Sequence, residues 1–120
     1  MTTTSYASDR TGLLLVDPYN DFLSEGGKLW PLVKPIAEEH RLLDNLRKIV
    51  AAARAAGLQL FIVPHHRAEP NDYASWKYPN PDQIASGKMQ AFAKDTWGGE
   101  WHPDFVPQSQ DIIIKEHWAR

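Results

Sequence analysis

Residues 11–23 read TGLLLVDPYNDFL, and this stretch decides the fold class. Its apolar run is continuous rather than alternating, and the run ends in an acid at Asp17. Two later stretches have the same character: QLFIVP at residues 59–64, and DIIIK at residues 111–115, which ends in a base at Lys115. Continuous short apolar runs are typical of strands that are buried on both faces in a parallel sheet. The sequence therefore predicts an α/β protein with a parallel sheet of about three strands.

One helix is predicted between the first two strands. Pro35 suits its first turn, Glu38 and Glu39 favour the positive end of its dipole, and Gly57 is placed to cap its C-terminus. A strand, a helix and a second strand form a βαβ unit, whose crossover is expected to be right-handed. The side chains predicted to pack on the sheet recur at helical spacing and are Leu43, Leu46, Ile49, Val50 and Ala53.

The segment between the second and third strands is rich in proline and aromatic residues. It predicts one helix, over residues 82 to about 94, with Ile84, Met89 and Phe92 as its apolar face. Long, partly irregular segments in a compact domain are usually functional, so the aromatic side chains either wall a pocket or cover a sheet face. Parallel sheets are normally covered on both faces. With so few helices, we expect the chain to be the front part of a larger, incomplete α/β domain.

The composition excludes several classes of protein. The 120 residues allow one domain, and 13 basic against 15 acidic residues give a net charge of −2 with no basic stripe, which argues against a nucleic-acid partner. The apolar runs are too short to cross a membrane, and residues 1–10 have no secretion signal and predict a flexible tail. The chain contains no cysteine, so it has neither disulfides nor a thiolate metal site. These features favour a cytoplasmic protein.

Two charged residues are candidates for chemistry because they end apolar strands. In open α/β sheets, ligands bind beyond the carboxyl ends of the strands, where both Asp17 and Lys115 are expected. If their strands are neighbours, the strand order is 2-1-3 and the two side chains meet in one crevice. A carboxylate beside an ammonium keeps its charge and stays usable as a base. The alternative is a purely structural ion pair at the ends of the strands.

Histidines and glycines offer weaker signals. His65 and His66 are adjacent on an extended segment and point to opposite faces, so they are not expected to bind one metal together. His102 and His117 could approach the same edge of the sheet. The paired glycines at residues 26–27 and 98–99 do not form a phosphate-binding loop. The sequence therefore predicts no metal and no cofactor, with one of the adjacent histidines lining a pocket.

Two motifs carry a family resemblance. LLLVDPYNDFL at residues 13–23 resembles the opening motif of the isochorismatase-like cysteine hydrolases, and DIIIKEHW at residues 111–118 resembles their lysine-bearing strand. FIVPHHR and FAKDTWGGEWHPDF, between them, resemble connecting segments of one bacterial and fungal branch. The resemblance covers residues 11–118 and implies a Rossmann-like, three-layer α/β/α hydrolase that forms homo-oligomers. Its implied substrates are small amides, ureido compounds or, for the eponymous members, a vinyl ether.

The resemblance also implies an Asp–Lys–Cys triad. By motif, Asp17 is the general base and Lys115 its partner, while the family's cysteine lies on a later strand that this chain does not contain. We therefore expect residues 11–120 to be the N-terminal part of one hydrolase domain and the chain by itself to be inactive. The metal motif of the nicotinamidase branch is not matched, since PHHR stands in its place. The residues expected to line the substrate pocket are Tyr19, Phe22, His66 and Trp97.

A second hypothesis is a non-catalytic module of the same fold. Its aromatic loop would hold a small ligand or a partner chain, Asp17 and Lys115 would be structural, and a bare strand edge would pair with another chain. A receiver-like phosphoacceptor domain also places acids and a lysine at strand ends. It fits poorly, because Pro18 follows Asp17 where a second acid is expected.

Overall fold

The computed structural model describes residues 4–119, which form a small parallel sheet with helices in its connections. The predicted α/β class with a parallel sheet of about three strands is confirmed. The predicted N-terminal tail falls partly outside the described residues, at 1–3, and residues 4–10 are exposed. The elements are β1 (Gly12–Val16), α1 (Asn20–Leu23), α2 (Trp30–Glu39), α3 (Leu42–Ala55), β2 (Gln59–Val63), α4 (Pro81–Met89) and β3 (Ile112–Ile113), with single 3-10 turns at Trp97–Gly99 and Pro103–Phe105.

The strand order is β1-β2-β3, so the strands that precede Asp17 and Lys115 are not neighbours, and the order 2-1-3 that such a pairing would give is not formed. β2 pairs in parallel with β1 on one side and with β3 on the other. The side-chain contacts at the start of β3 explain this position. Arg54, at the end of α3, donates two 2.8 Å hydrogen bonds to Asp111, and Gln59 Nε2 donates to the Gln110 carbonyl at 2.9 Å. These contacts hold the entry of β3 on the outer side of β2.

The single helix predicted between the first two strands is two helices. The chain turns at Arg41, whose φ of 51° places it in the left-handed region that interrupts a helix. Pro35 therefore lies inside α2, and Glu38 and Glu39 are at the C-terminal end of that helix. Gly57 does cap α3: it has a φ of 74° and donates its N–H to the Arg54 carbonyl at 3.1 Å.

The main core lies between α3 and one face of the sheet. Val50 and Ala53 of α3 pack with Leu15, Leu60 and Ile62 of the first two strands. Burying a side chain of this size stabilises the fold by about 1.5–3 kcal/mol. Of the α3 residues predicted to face the sheet, Leu43 and Leu46 are partly buried against this core. Ile49 is the exception, with half of its side chain exposed.

On β1, the opposite face of the sheet is apolar and exposed. Leu14 and Val16 alternate with the core residue Leu15 along β1, and they are 60% and 52% exposed. β1 is also an edge strand, because only β2 pairs with it in the described part of the chain. None of the helices over residues 4–119 is long and apolar enough to cross a membrane.

We predict that Arg54→Leu lowers the free energy of unfolding by about 2 kcal/mol, because it leaves the Asp111 carboxylate without its ionic partner. The Asp111 side chain is 1% exposed, whereas that of Arg54 is 21% exposed. Urea denaturation followed by circular dichroism measures the change. Arg47→Leu is the control, because Arg47 also pairs with an aspartate but at the surface. An equal loss in both variants would contradict the prediction.

The same pair predicts a pH dependence of stability. The hydrogen bonds from Arg54 lower the pKa of Asp111 below its ordinary value. A lowered carboxyl pKa stabilises the fold above the unfolded-state value of about 4, and this contribution is lost as the pH falls through the folded-state pKa. Denaturation midpoints measured from pH 7 downward should therefore fall more steeply below about pH 4 for the wild type than for Arg54→Leu.

Candidate active site

Asp17 ends β1 with an unusual backbone conformation. Its φ is 54°, a left-handed value that aspartate tolerates better than most residues. Its N–H still donates to the Val63 carbonyl at 3.0 Å, while its own carbonyl accepts from the Tyr19 N–H at 2.8 Å. The strand therefore stops abruptly at Asp17. Such conformations are costly and occur most often at functional sites.

His117 holds the Asp17 side chain. Its Nε2 lies 2.8 Å from Asp17 Oδ1, and the two side chains are 24% and 15% exposed. The His117 main chain is fixed beside the end of β2, because its N–H donates to the Pro64 carbonyl at 3.0 Å and its carbonyl accepts from the His66 N–H at 2.7 Å. Since an ionised carboxylate only accepts, we assign the hydrogen to Nε2. The sequence indicated that His117 could reach this edge but not that it binds Asp17.

Lys115 lies elsewhere. It is exposed and forms no ion pair with the residues that the structure describes. β2 lies between the strands that end in Asp17 and Lys115, so the contact expected from neighbouring strands is not formed. The imidazole of His117 is the partner that the structure gives to the Asp17 carboxylate.

A cavity of about 650 Å³ opens beside Asp17. His65, His117 and Asp17 all line this cavity. The rings of the two histidines meet edge-on, with their centroids 5.1 Å apart. Helix α4 contributes one face, with residues spaced by three, four and seven positions. The cavity wall includes the apolar residues Val16, Phe22, Leu29, Leu32, Ala91 and Phe92, and the α4 residues Asp82, Ala85, Ser86 and Met89.

Of the apolar face predicted for the short helix, Met89 and Phe92 line the cavity and Ile84 does not. α4 ends at Met89, and Ile84 is 43% exposed rather than buried. Phe92 is buried, but it lies beyond the helix in a left-handed conformation with a φ of 56°. The chain turns away immediately after the helix, at Gln90, which has a φ of 54°.

The residues expected to line the pocket are distributed differently. Phe22 lines the cavity, whereas Tyr19, His66 and Trp97 are not among its wall residues. Tyr19 is fully buried, with its hydroxyl donating to the His65 carbonyl at 2.8 Å and its ring stacked at 5.0 Å on Trp101. Burial raises the pKa of Tyr19, so its hydroxyl stays protonated. Trp97 is 48% exposed.

Asp21 is a structural residue that sequence reasoning missed. Its carboxylate is 3% exposed and accepts the N–H groups of Lys28 at 3.0 Å and Phe92 at 2.8 Å. Gly98 packs so closely that a Cβ there would lie 2.5 Å from the same carboxylate. The signal available in the sequence was an acid within a short apolar motif, together with a distant glycine pair. Asp21 therefore ties together the loops that form the cavity wall.

His66 takes part in a second cluster, away from the cavity. His66, Glu69 and Asp72 bring ligand atoms within 4.8 Å of one another. However, His66 Nε2 bonds Asp72 Oδ2 at 2.9 Å, and that same oxygen accepts the Glu69 N–H at 2.8 Å. Glu69 also pairs with Lys94 at 3.5 Å. The contacts hold this turn together, and they give no reason to assign a metal to it.

Glu116 joins the segment after β3 to the segment after β2 through hydrogen bonds from Arg67. Burial alone would raise the pKa of Glu116, but hydrogen bonds from the Arg67 side chain and main chain outweigh it and lower the pKa. The Arg67 Nε–Glu116 Oε1 distance is 2.7 Å. Glu116 directly precedes His117 in the chain, so its pairing with Arg67 helps to fix the position of the imidazole beside Asp17.

Comparison with known proteins agrees with this architecture. The sequence model of the isochorismatase domain matches residues 11–119. The chain belongs to the isochorismatase family. Its similar curated relatives include ureidoacrylate amidohydrolases RutB of Acinetobacter baylyi (29% identical over 92% of this chain and 49% of the relative) and of Klebsiella pneumoniae subsp. pneumoniae (26% identical over 92% and 51%). The chain thus spans about half the length of the curated relatives it matches.

We predict that His117→Leu lowers the free energy of unfolding by about 1 kcal/mol, because it removes a part-buried hydrogen bond to a carboxylate. His117→Gln should recover part of that loss, since its amide can still donate to Asp17. Urea denaturation checks both variants. His40→Leu is the control, because His40 is an exposed residue at the end of α2. Equal losses for His117→Leu and His117→Gln would show that hydrogen-bond donation is not the source of the stability.

Proposed function

We propose that this chain is part of a hydrolase that cleaves the C–N bond of a small amide or ureido compound, with Asp17 as the general base. The observation that carries the proposal is the position of Asp17 in a chain of this family. Its carboxylate lies at the carboxyl end of a parallel strand, on the wall of a cavity large enough for a small molecule. The names of the relatives, amidohydrolases, support the same reaction class.

The nucleophile of the proposed Asp–Lys–Cys triad is a thiol, which these 120 residues do not contain. The chain contains no cysteine, so the thiol of the proposed Asp–Lys–Cys triad would have to come from further sequence. Asp17 would take the proton of that thiol as it attacks the carbonyl carbon, and would return a proton to the departing nitrogen. Lys115 is the proposed third member. In the structure it is exposed, and a shift of the segment that follows β3 would have to bring it to Asp17.

The first experiment is the intact mass of the protein as its native source makes it. A mass well above 13.6 kDa would show that the native protein contains further sequence, which could carry the thiol. That protein should then be screened for hydrolysis of amides and ureides. A mass of 13.6 kDa would leave the protein without a thiol and would contradict thiol-dependent hydrolysis.

We predict that Asp17→Asn in the native-length protein lowers kcat at least about a hundredfold, because the amide cannot accept the proton. The amide can still accept the hydrogen bond from His117, so the fold should persist. Asp9→Asn, in the exposed N-terminal segment, is the matched control. Full activity of Asp17→Asn would exclude Asp17 as the base. For the 120-residue chain alone, we expect no turnover.

A second candidate is a non-catalytic binding or assembly module. It is favoured by the edge of β1 that pairs with no other strand over residues 4–119, and by the exposed apolar side chains of Leu14 and Val16. We infer from the same surface that the protein forms homo-oligomers. Sedimentation of the chain and of Leu14→Glu tests this: self-association lost in the variant supports an interface at this face, and a monomeric wild type contradicts it.

A further inference from the structure

His65 follows β2 on the wall of the cavity beside Asp17, and its position there is fixed. The centroid of its ring lies 5.0 Å from that of Phe92 and 5.1 Å from that of His117. Its carbonyl oxygen accepts a 2.8 Å hydrogen bond from the hydroxyl of the buried Tyr19. Because the ring and the main chain are both held, the side chain loses little conformational freedom when a ligand contacts it.

One ring nitrogen of His65 is engaged and the other is open. Nδ1 lies 2.8 Å from the carbonyl oxygen of His66, which only accepts, so we assign the hydrogen to Nδ1. No group over residues 4–119 forms a hydrogen bond with Nε2, and no buried side-chain nitrogen or oxygen in that range lacks a partner. Nε2 is therefore accessible, and it is the polar atom that this side chain offers to the cavity.

His117 is cationic, and its charge favours a neutral His65. The Nε2 of His117 lies 2.8 Å from Asp17 Oδ1, and its Nδ1 lies 3.1 Å from the Trp118 carbonyl oxygen. Both oxygens accept, so both ring nitrogens donate. A second positive charge on His65 would be repelled by this ring, while the Asp17 carboxylate is already paired with His117. Nε2 of His65 therefore keeps its lone pair.

We infer that His65 is a ligand-binding residue of this cavity, whose Nε2 accepts a hydrogen bond from an N–H group of the bound molecule. This role rests on the proposed function for the class of molecule, a small amide or ureide, but it concerns how that molecule is held. Phe22 and Phe92 form apolar wall in the same cavity. A molecule packed there and bound by Nε2 has its carbonyl group held in one orientation relative to Asp17.

The tautomer of His65 can be measured without a ligand. Long-range hydrogen–nitrogen NMR spectra of the labelled chain, at about pH 8 where a free imidazole is neutral, distinguish protonated from unprotonated ring nitrogens. The His65→Gln variant assigns the signals. We expect a hydrogen on Nδ1 of His65 and none on Nε2. His40, exposed at the end of α2, should show the averaged signals of a free imidazole. A hydrogen on Nε2 of His65 would overturn the inference.

A matched pair of probes shows whether Nε2 accepts an N–H group. Butyramide and methyl propyl ketone share a propyl chain and a carbonyl group, and they differ only in an amino group in place of a methyl group. Each is titrated into the labelled 120-residue chain, and the NMR shifts of the cavity residues give its Kd. We expect butyramide to bind more tightly and to shift the Nε2 resonance of His65, and the ketone to leave that resonance nearly unchanged.

Variants measure the part of this preference that belongs to His65. His65→Phe keeps a ring beside Phe92 but has no acceptor. It should reduce the preference for butyramide about fivefold, which corresponds to about 1 kcal/mol. His65→Gln places an amide oxygen near the position of Nε2 and should retain part of the preference. His40→Phe makes the same change at an exposed site outside the cavity, so it should have no effect. Circular dichroism checks the fold of each variant.

Three results with the probes would overturn the inference. The first is an equal preference for butyramide in the wild type and in His65→Phe. The second is a loss in His65→Gln as large as that in His65→Phe, since the acceptor would then not be its source. The third is the absence of shifts in cavity residues at the highest soluble concentration of butyramide.

The native-length protein separates this inference from the proposed function. With an amide or ureide that it hydrolyses, His65→Phe should raise KM about fivefold and change kcat less. Hydrolysis with a KM that His65→Phe leaves unchanged would support the proposed function and contradict the role of His65. If no amide or ureide is hydrolysed but the tautomer and the probe preference are as expected, the proposed function fails and the role of His65 in binding is supported.

Discussion

The buried carboxylate of Asp21 is the interaction on which the functional end of the molecule depends. It accepts main-chain N–H groups from two segments, at Lys28 and Phe92, and Gly98 of a third segment packs directly against it. A buried charge is costly unless it is satisfied by hydrogen bonds, so the carboxylate holds these segments in place. Its loss would leave two main-chain donors without an acceptor. The cavity wall therefore depends on a residue that does not line the cavity.

Asp21 and Asp17 perform opposite tasks within five residues. Asp21 is enclosed and accepts hydrogen bonds from the main chain, which suits a structural role. Asp17 is part-buried and follows β1 in a left-handed conformation, and its side chain is hydrogen-bonded to the His117 ring. Asp21 lies in the first turn of the short helix α1, whereas Asp17 precedes that helix. One motif thus supplies both the anchor of the site and its candidate base.

The sequence predicted the class of the fold better than the arrangement of its parts. The three apolar runs became the three strands. The burial on both faces that continuous hydrophobicity predicts is not seen, because Leu14 and Val16 of β1 and both residues of β3 are exposed. Strand order depends on contacts such as the one between Arg54 and Asp111, which join residues far apart in the chain and leave no local pattern. The break at Arg41 was missed for a related reason, since arginine in a left-handed conformation is not a signal that propensity can provide.

The site shows the same division. Asp17 was found because its position after a strand is a local property, whereas its partner depended on which strands are neighbours. With β2 in the centre, the residue that reaches Asp17 is His117, which extends along the edge of β2 two residues beyond Lys115. Of the aromatic residues predicted to line the pocket, Tyr19, just before α1, is buried in the core, and Phe22, within α1, lines the cavity. Composition cannot reveal this difference.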